Sequence, residues 1–218
     1  MRLFYQDQSK NCLKNTEGEK MEYTLACTYE NVLSDEICEK IIEFTKTAED
    51  VSWSDLEQGN LEKTIKESKQ SVKSKEEYRE LQKFTLPRNE DTEEIYATII
   101  HYMNLANQEK WNYEINSIEP MQILRYPEGG HYHWHMDAGS DDSPDHTRKL
   151  SMTAYVNDPK EYEGGNLMID SGVAKIEVTN MEKGAACFFP AWALHKVESV
   201  TKGVRWVIVA WFRGPPLR

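Results

Sequence analysis

At 218 residues and 25.4 kDa, with 39% hydrophobic and 11% aromatic residues, the chain carries enough apolar material for one buried core. Its 26 Lys and Arg against 37 Asp and Glu give a net charge of -11, which disfavours a phosphate backbone as partner. No stretch approaches the roughly 18 apolar residues of a bilayer span. MRLFYQDQSKNC lacks the apolar run of a secretory signal, and Cys12, Cys27, Cys38 and Cys187 form no CxxC pair. The expectation is a soluble, cytoplasmic protein with free thiols, binding neither nucleic acid nor membrane.

Residues 1–20 are polar and without periodicity, so a loose tail is expected. A first strand is expected within 22–33, YTLACTYENVLS. Ser34 has the character of an N-cap, and Asp35 and Glu36 follow where a helix dipole favours acids. Ile37, Cys38, Ile41 and Ile42 then make the buried stripe of a helix. Residues 54–83 are rich in Lys, Glu, Ser and Gln; they read as a mobile solvated segment or as a lid. A second helix is expected from about Asp91, with Ile95, Ile99, Met103 and Ala106 on its core face.

From Ser117 the pattern changes. MQILRY, HYHWHMD, LSMTAYVN, NLMI, AKIEV, CFFP, LHKVESV and VRWVIVAWF are short apolar or alternating runs separated by turn signals such as PEGG, EGG and TKG. About eight short strands in roughly a hundred residues predict a barrel or sandwich. The division expected is 1–20 tail, 21–120 N-terminal helical support, and 121–218 catalytic core, all one functional domain.

The chemistry sits in the second half. On a strand, residues two apart face the same way, so His135 and Asp137 present an imidazole and a carboxylate together. A regular strand also puts His131 and His133 on that face. A third ligand must come from His101, His146 or His195, and His195 lies in a run with strand character. Two His and one carboxylate leave open positions suited to an iron(II) oxygenase; a zinc hydrolase is the competing reading. Arg205 follows His195 by ten residues across TKG, and a hairpin is expected there. Arg205, Val207, Val209 and Trp211 share one face, where an Arg is costly unless it meets an anion. Its planar fork suits a carboxylate.

RYPEGGHYHWHMD, YVND, EGG, HKVESVTKGVR and AWF together resemble the prolyl hydroxylase branch of the 2-oxoglutarate oxygenases, in particular the prolyl/lysyl hydroxylase-like group of bacteria and viruses. The resemblance covers about 30–213 and is strong over 121–213. Its most specific element is the HxD…H…R spacing with a Tyr nine residues before the first His. It implies a mainly β (α+β) fold, a double-stranded β-helix or jelly-roll barrel with supporting N-terminal helices. It implies iron(II) on His135, Asp137 and His195, and Arg205 on the distal carboxylate of 2-oxoglutarate. Tyr126, Ser151 and Tyr155 match positions lining the co-substrate pocket. Tyr132, Trp211 and Arg213 match positions facing substrate or the pocket mouth.

The implied reaction consumes O2 and 2-oxoglutarate, releases succinate and CO2, and hydroxylates an unactivated C–H, with ascorbate as an auxiliary reductant. A prolyl residue in a peptide or protein, a basic one for preference, is the expected substrate; a free amino acid or other small molecule is the alternative. Collagen-type and plant-type relatives usually carry Lys where this chain has Arg205. Asp137 disfavours halogenation, since related halogenases have a small residue there. A cupin-type metal-binding barrel has no need of a buried Arg at 205. A nucleic-acid demethylase is opposed by the net charge.

Overall fold

The structure, a computed structural model, describes residues 13–14, 20–21, 24–47, 79–139, 147–179 and 181–216. The 1–20 tail, His146 and most of the 54–83 segment fall outside these residues, apart from the short strands β1 (Leu13–Lys14) and β2 (Lys20–Met21). The remaining elements are β3 (Cys27–Tyr29), α1 (Asp35–Thr47), β4 (Arg79–Glu80), β5 (Gln82–Thr85), α2 (Glu93–Lys110), β6 (Ser117–Ile118), β7 (Gln122–Tyr126) and β8 (His131–His135). After them come β9 (Arg148–Tyr155), β10 (Tyr162–Gly164), β11 (Leu167–Asp170), β12 (Lys175–Val178), β13 (Ala186–Pro190), β14 (Leu194–Val197), β15 (Val200–Gly203) and β16 (Arg205–Arg213). No described helix is long and apolar enough to cross a membrane.

Two antiparallel sheets face each other. The larger runs β3-β13-β9-β16-β7-β5, with β6 also on β16; the smaller runs β12-β11-β14-β8-β4. This is the expected double-stranded β-helix. Alternation along the strands divides the apolar residues into two clusters. Leu124, Tyr126, Tyr155, Ile169, Phe189, Val207 and Val209 fill the space between the sheets. Ile123, Met152, Phe188, Ile208 and Phe212 point the other way, onto the helices.

The helices behave as their sequence dictates. The Ser34 hydroxyl accepts from the Ile37 N–H at 3.2 Å, capping α1. Ile37, Cys38 and Ile41 are buried and Ile42 packs at their edge. On α2, Ile95, Ile99, Met103 and Ala106 are all buried. Tyr96 adds a polar pin: its hydroxyl donates to the Leu86 carbonyl at 2.8 Å and accepts from the Met121 N–H at 3.0 Å. Cys27, Cys38 and Cys187 are free and buried.

Three expectations need correction. From Ser117 there are eleven described strands, β6 to β16, rather than about eight, because turns and bulges split the runs into short pieces. Residues 79–80 and 82–83, inside the segment read as mobile, are in strands: β4 pairs with β8, and β5 pairs with β7. Finally, His195 and Arg205 are not on two arms of a hairpin. β14 pairs with β8 and β11 in the smaller sheet, β15 with β10, and β16 with β7 and β9 in the larger sheet. The chain crosses between sheets there, which places the two residues on opposite walls of one interior.

Candidate active site

β8 and β14 are neighbours, with His135 directly opposite His195. The strand alternation carries both rings inward, and Asp137 follows two residues after His135. The ligand atoms of His135, Asp137 and His195 lie within 4.8 Å of one another. His135 Nε2 is 3.7 Å from Asp137 Oδ1, and His195 Nε2 is 3.4 Å from Asp137 Oδ2. Each ring is oriented by the chain itself. His135 Nδ1 donates to the His133 carbonyl at 2.7 Å, and His195 Nδ1 to the Ala193 carbonyl at 3.0 Å. A carbonyl only accepts, so the proton sits on Nδ1 and the Nε2 lone pairs face the centre.

The carboxylate is held equally firmly. The Asp137 N–H donates to the Ala191 carbonyl at 3.0 Å, and the Ser151 hydroxyl donates to Oδ2 at 2.6 Å. Burial alone would raise the Asp137 pKa, but His195, His135, the Ser151 hydroxyl and Arg148 together hold it below the usual carboxylate range. Burial, reinforced by His195, lowers the His135 pKa, so that imidazole is neutral. Two imidazoles and one carboxylate form a donor set that fits a divalent iron. Of the other candidates, His101 is exposed on α2, remote from this triangle, and His146 lies outside the described residues.

A bulge between His195 and Val197 changes which neighbour shares the ligand face. Val197 pairs with Tyr132, so three steps along β8 match two along β14. Tyr132, not His133, therefore stacks on His135, with ring centroids 3.7 Å apart and planes within 15°. Trp134 packs instead beside Lys175 and Lys196, 4.9 and 5.3 Å from its ring.

Arg205 opens β16 on the facing wall and is 1% exposed. Its guanidinium carbon lies 5.1 Å from the ring centroids of both Tyr126 and Tyr155. None of its three nitrogens makes a hydrogen bond to a described residue. Burial raises the Tyr126 pKa to about 12 and pushes that of Tyr155 up as well, so both phenols stay neutral beside the cation. A buried, fixed cation with unfilled donors fits an anionic carboxylate. Tyr126 and Tyr155 thus flank the Arg205 guanidinium, whereas the Ser151 hydroxyl is turned to Asp137.

Trp211 and Arg213 lie at the end of β16. The Arg148 guanidinium lies over the Trp211 ring at 4.2 Å. Arg148 grips Glu119 through two bonds of 2.7 and 2.6 Å, and Arg213 Nε donates to the same carboxylate at 2.6 Å. Arg148 also reaches the Asp137 carbonyl at 3.3 Å. Burial would raise the Glu119 pKa, but the two arginines hold it down. Glu119 and Arg148 escaped the sequence reading because nothing local marks a pair 29 residues apart. Glu119→Ala removes the carboxylate that both arginines share and is expected to cost about 3 kcal/mol of stability, read by denaturant unfolding.

Gly165, within the EGG motif, was given no role by sequence. Its φ is +67°, and a Cβ there would stand 2.8 Å from Arg205 Cδ. Gly165→Ala is expected to displace Arg205 and weaken 2-oxoglutarate binding about tenfold, while metal affinity measured by titration stays unchanged.

Fold and site define a class: a double-stranded β-helix with a two-His, one-carboxylate metal triangle facing a buried cation. Residues 121–213 match the 2OG-Fe(II) oxygenase superfamily. A PKHD-type hydroxylase of Thermosynechococcus vestitus is 32% identical over 165 residues, taking in 75% of this chain; the chain spans 66% of that relative's length. A Pseudomonas putida prolyl-4-hydroxylase has the same fold, with a TM-score of 0.63 at 18% identity over 88% of this chain and 93% of that one. So does a Trichoplax adhaerens prolyl hydroxylase in complex with a hypoxia inducible factor oxygen degradation domain peptide fragment, with a TM-score of 0.63 at 16% identity over 87% and 83%. The superfamily that residues 121–213 match is named for Fe(II) and 2-oxoglutarate, and the donor set of the triangle fits that metal.

Proposed function

We propose that this protein is an Fe(II)- and 2-oxoglutarate-dependent hydroxylase acting on a prolyl residue of a peptide or protein. The observation that carries the co-substrate reading is Arg205: a cation buried between two neutral tyrosines, with no hydrogen-bond partner among the described residues. A metal-binding barrel without 2-oxoglutarate would have no use for it.

In this reading His135, Asp137 and His195 hold iron(II). The chemistry supplied there is oxidation of an unactivated C–H to C–OH by O2, coupled to oxidative decarboxylation of 2-oxoglutarate to succinate and CO2. Arg205 binds the distal carboxylate in a fork of two hydrogen bonds and so fixes the 2-oxo acid end toward the metal ligands. Ser151 and the backbone of Ala191 keep Asp137 from turning away. Tyr132 stiffens His135 by stacking, and the apolar inner faces of Leu124, Val207 and Val209 exclude water from the interior.

The prolyl substrate is supported by the family type and by the peptide in the Trichoplax adhaerens complex. In this reading Trp211 and Arg213, half-buried at the end of β16, offer a flat aromatic and a donor that suit a pyrrolidine ring and a peptide carbonyl. The net charge of -11 favours faster association with a basic partner, an advantage that fades as salt rises. The test offers proline-containing peptides, protein lysate, free proline and free lysine in parallel, with iron(II), ascorbate and 2-oxoglutarate. Succinate in step with the gain of one oxygen atom on a peptide is expected. Turnover of free proline or lysine alone, with peptides inert, would sink the peptide reading.

A further inference from the structure

Asn157 lies two residues past β9, buried, within the YVND motif that the site left without a role. Its Nδ2 donates to the Val204 carbonyl at 2.9 Å, and its Oδ1 accepts from the Trp206 N–H at 2.8 Å. These are backbone groups of the residues immediately before and after Arg205. Nδ2 also donates to Glu161 Oε2 at 3.0 Å, which fixes the amide's orientation. Val204 stands between β15, which pairs with β10, and β16, which joins the larger sheet. The backbone leading into Arg205 is thus handed from one sheet to another, and one buried side chain clamps it on both sides.

We infer that Asn157 is a positioning residue for the co-substrate, aiming the Arg205 guanidinium at the distal carboxylate through its two-point hold on residues 204 and 206. The inference rests on the reading of Arg205 as the carboxylate anchor. Long side chains lose affinity when their base moves, because the guanidinium must present two parallel donors to one carboxylate. Loss of such a supporting contact is expected to weaken 2-oxoglutarate about tenfold, the scale of one hydrogen bond. The metal triangle, on the other sheet, is untouched by it.

The experiment compares two ligands on the full chain loaded with Mn(II): 2-oxoglutarate, and pyruvate, which has the same 2-oxo acid end but no distal carboxylate. Affinities are read by calorimetry or by competition. Asn157→Ala is expected to weaken 2-oxoglutarate about tenfold and leave pyruvate unchanged. If both ligands weaken together, Asn157 merely holds the fold and the inference is overturned. Asn157→Asp keeps the acceptor for Trp206 but turns an oxygen on the Glu161 carboxylate and the Val204 carbonyl; it is expected to weaken 2-oxoglutarate at least as much as Ala while sparing pyruvate. It is read the same way should the alanine variant fail to fold. Arg205→Ala runs in parallel. If it retains the preference for 2-oxoglutarate, the carboxylate reading fails and takes this inference with it. If Arg205→Ala loses the preference while both Asn157 variants keep it, only the positioning role fails.

Discussion

Asp137→Ala is expected to lower hydroxylation by more than about 100-fold, beyond the 10- to 100-fold that loss of an outer-shell partner costs. Asp137 is the one anionic member of the triangle, and it lies 3.7 and 3.4 Å from the two imidazole Nε2 atoms. Without it, two imidazole rings face the metal with no carboxylate to balance its charge or fix the third position. The Ser151 hydroxyl, 2.6 Å from the carboxylate, also loses its acceptor. Titration with Fe(II) or Mn(II) checks the cause, and the same loss is expected of His135→Ala and His195→Ala. His133→Ala is the control, since the β8 bulge puts Tyr132, not His133, beside the ligand ring. Loss of metal by His133→Ala together with retention by His135→Ala would show that the ligand is misassigned.

Arg205→Ala is expected to spare the metal and remove the co-substrate. A buried, charge-assisted contact with a carboxylate is worth about 2–5 kcal/mol, so 2-oxoglutarate affinity falls roughly 30- to several thousand-fold. Stability moves differently. In the ligand-free protein Arg205 is an unpaired cation at 1% exposure, so its removal is expected to leave thermal stability little changed or raised. The stabilisation that saturating 2-oxoglutarate gives the wild type, about 2.7 kcal/mol at a hundred times Kd, should vanish in the variant. A titration with unchanged 2-oxoglutarate affinity would falsify the assignment of the pocket.

Both positions were legible in the sequence for the same reason: each breaks a local rule. His135 and Asp137 place two polar groups on one face of a strand, and Arg205 begins a run of Val, Ile and Trp. Strand alternation is a property of neighbouring residues, so it predicted the inward pair of His135, at the end of β8, and Asp137 just beyond it, the divided faces of β16 and the core stripes of α1 and α2 without any knowledge of the fold. The ligand set itself came from resemblance, since spacing left His101 and His146 open beside His195.

What pairs with what was decided by tertiary structure. Alternation is blind to which sheet a strand joins, so the stretch from His195 to Arg205 reads as a hairpin when in fact the chain passes between sheets. The β8 bulge depends on the register against β14 and is invisible in HYHWHMD alone. Glu119, Arg148 and Arg213 meet only because β9 and β16 are adjacent and the chain before β7 reaches their ends. Gly165 and Asn157 gain their roles from Arg205, 40 and 48 residues further along the chain. Local sequence sets the direction of a side chain from its backbone; only long-range pairing sets what that side chain meets.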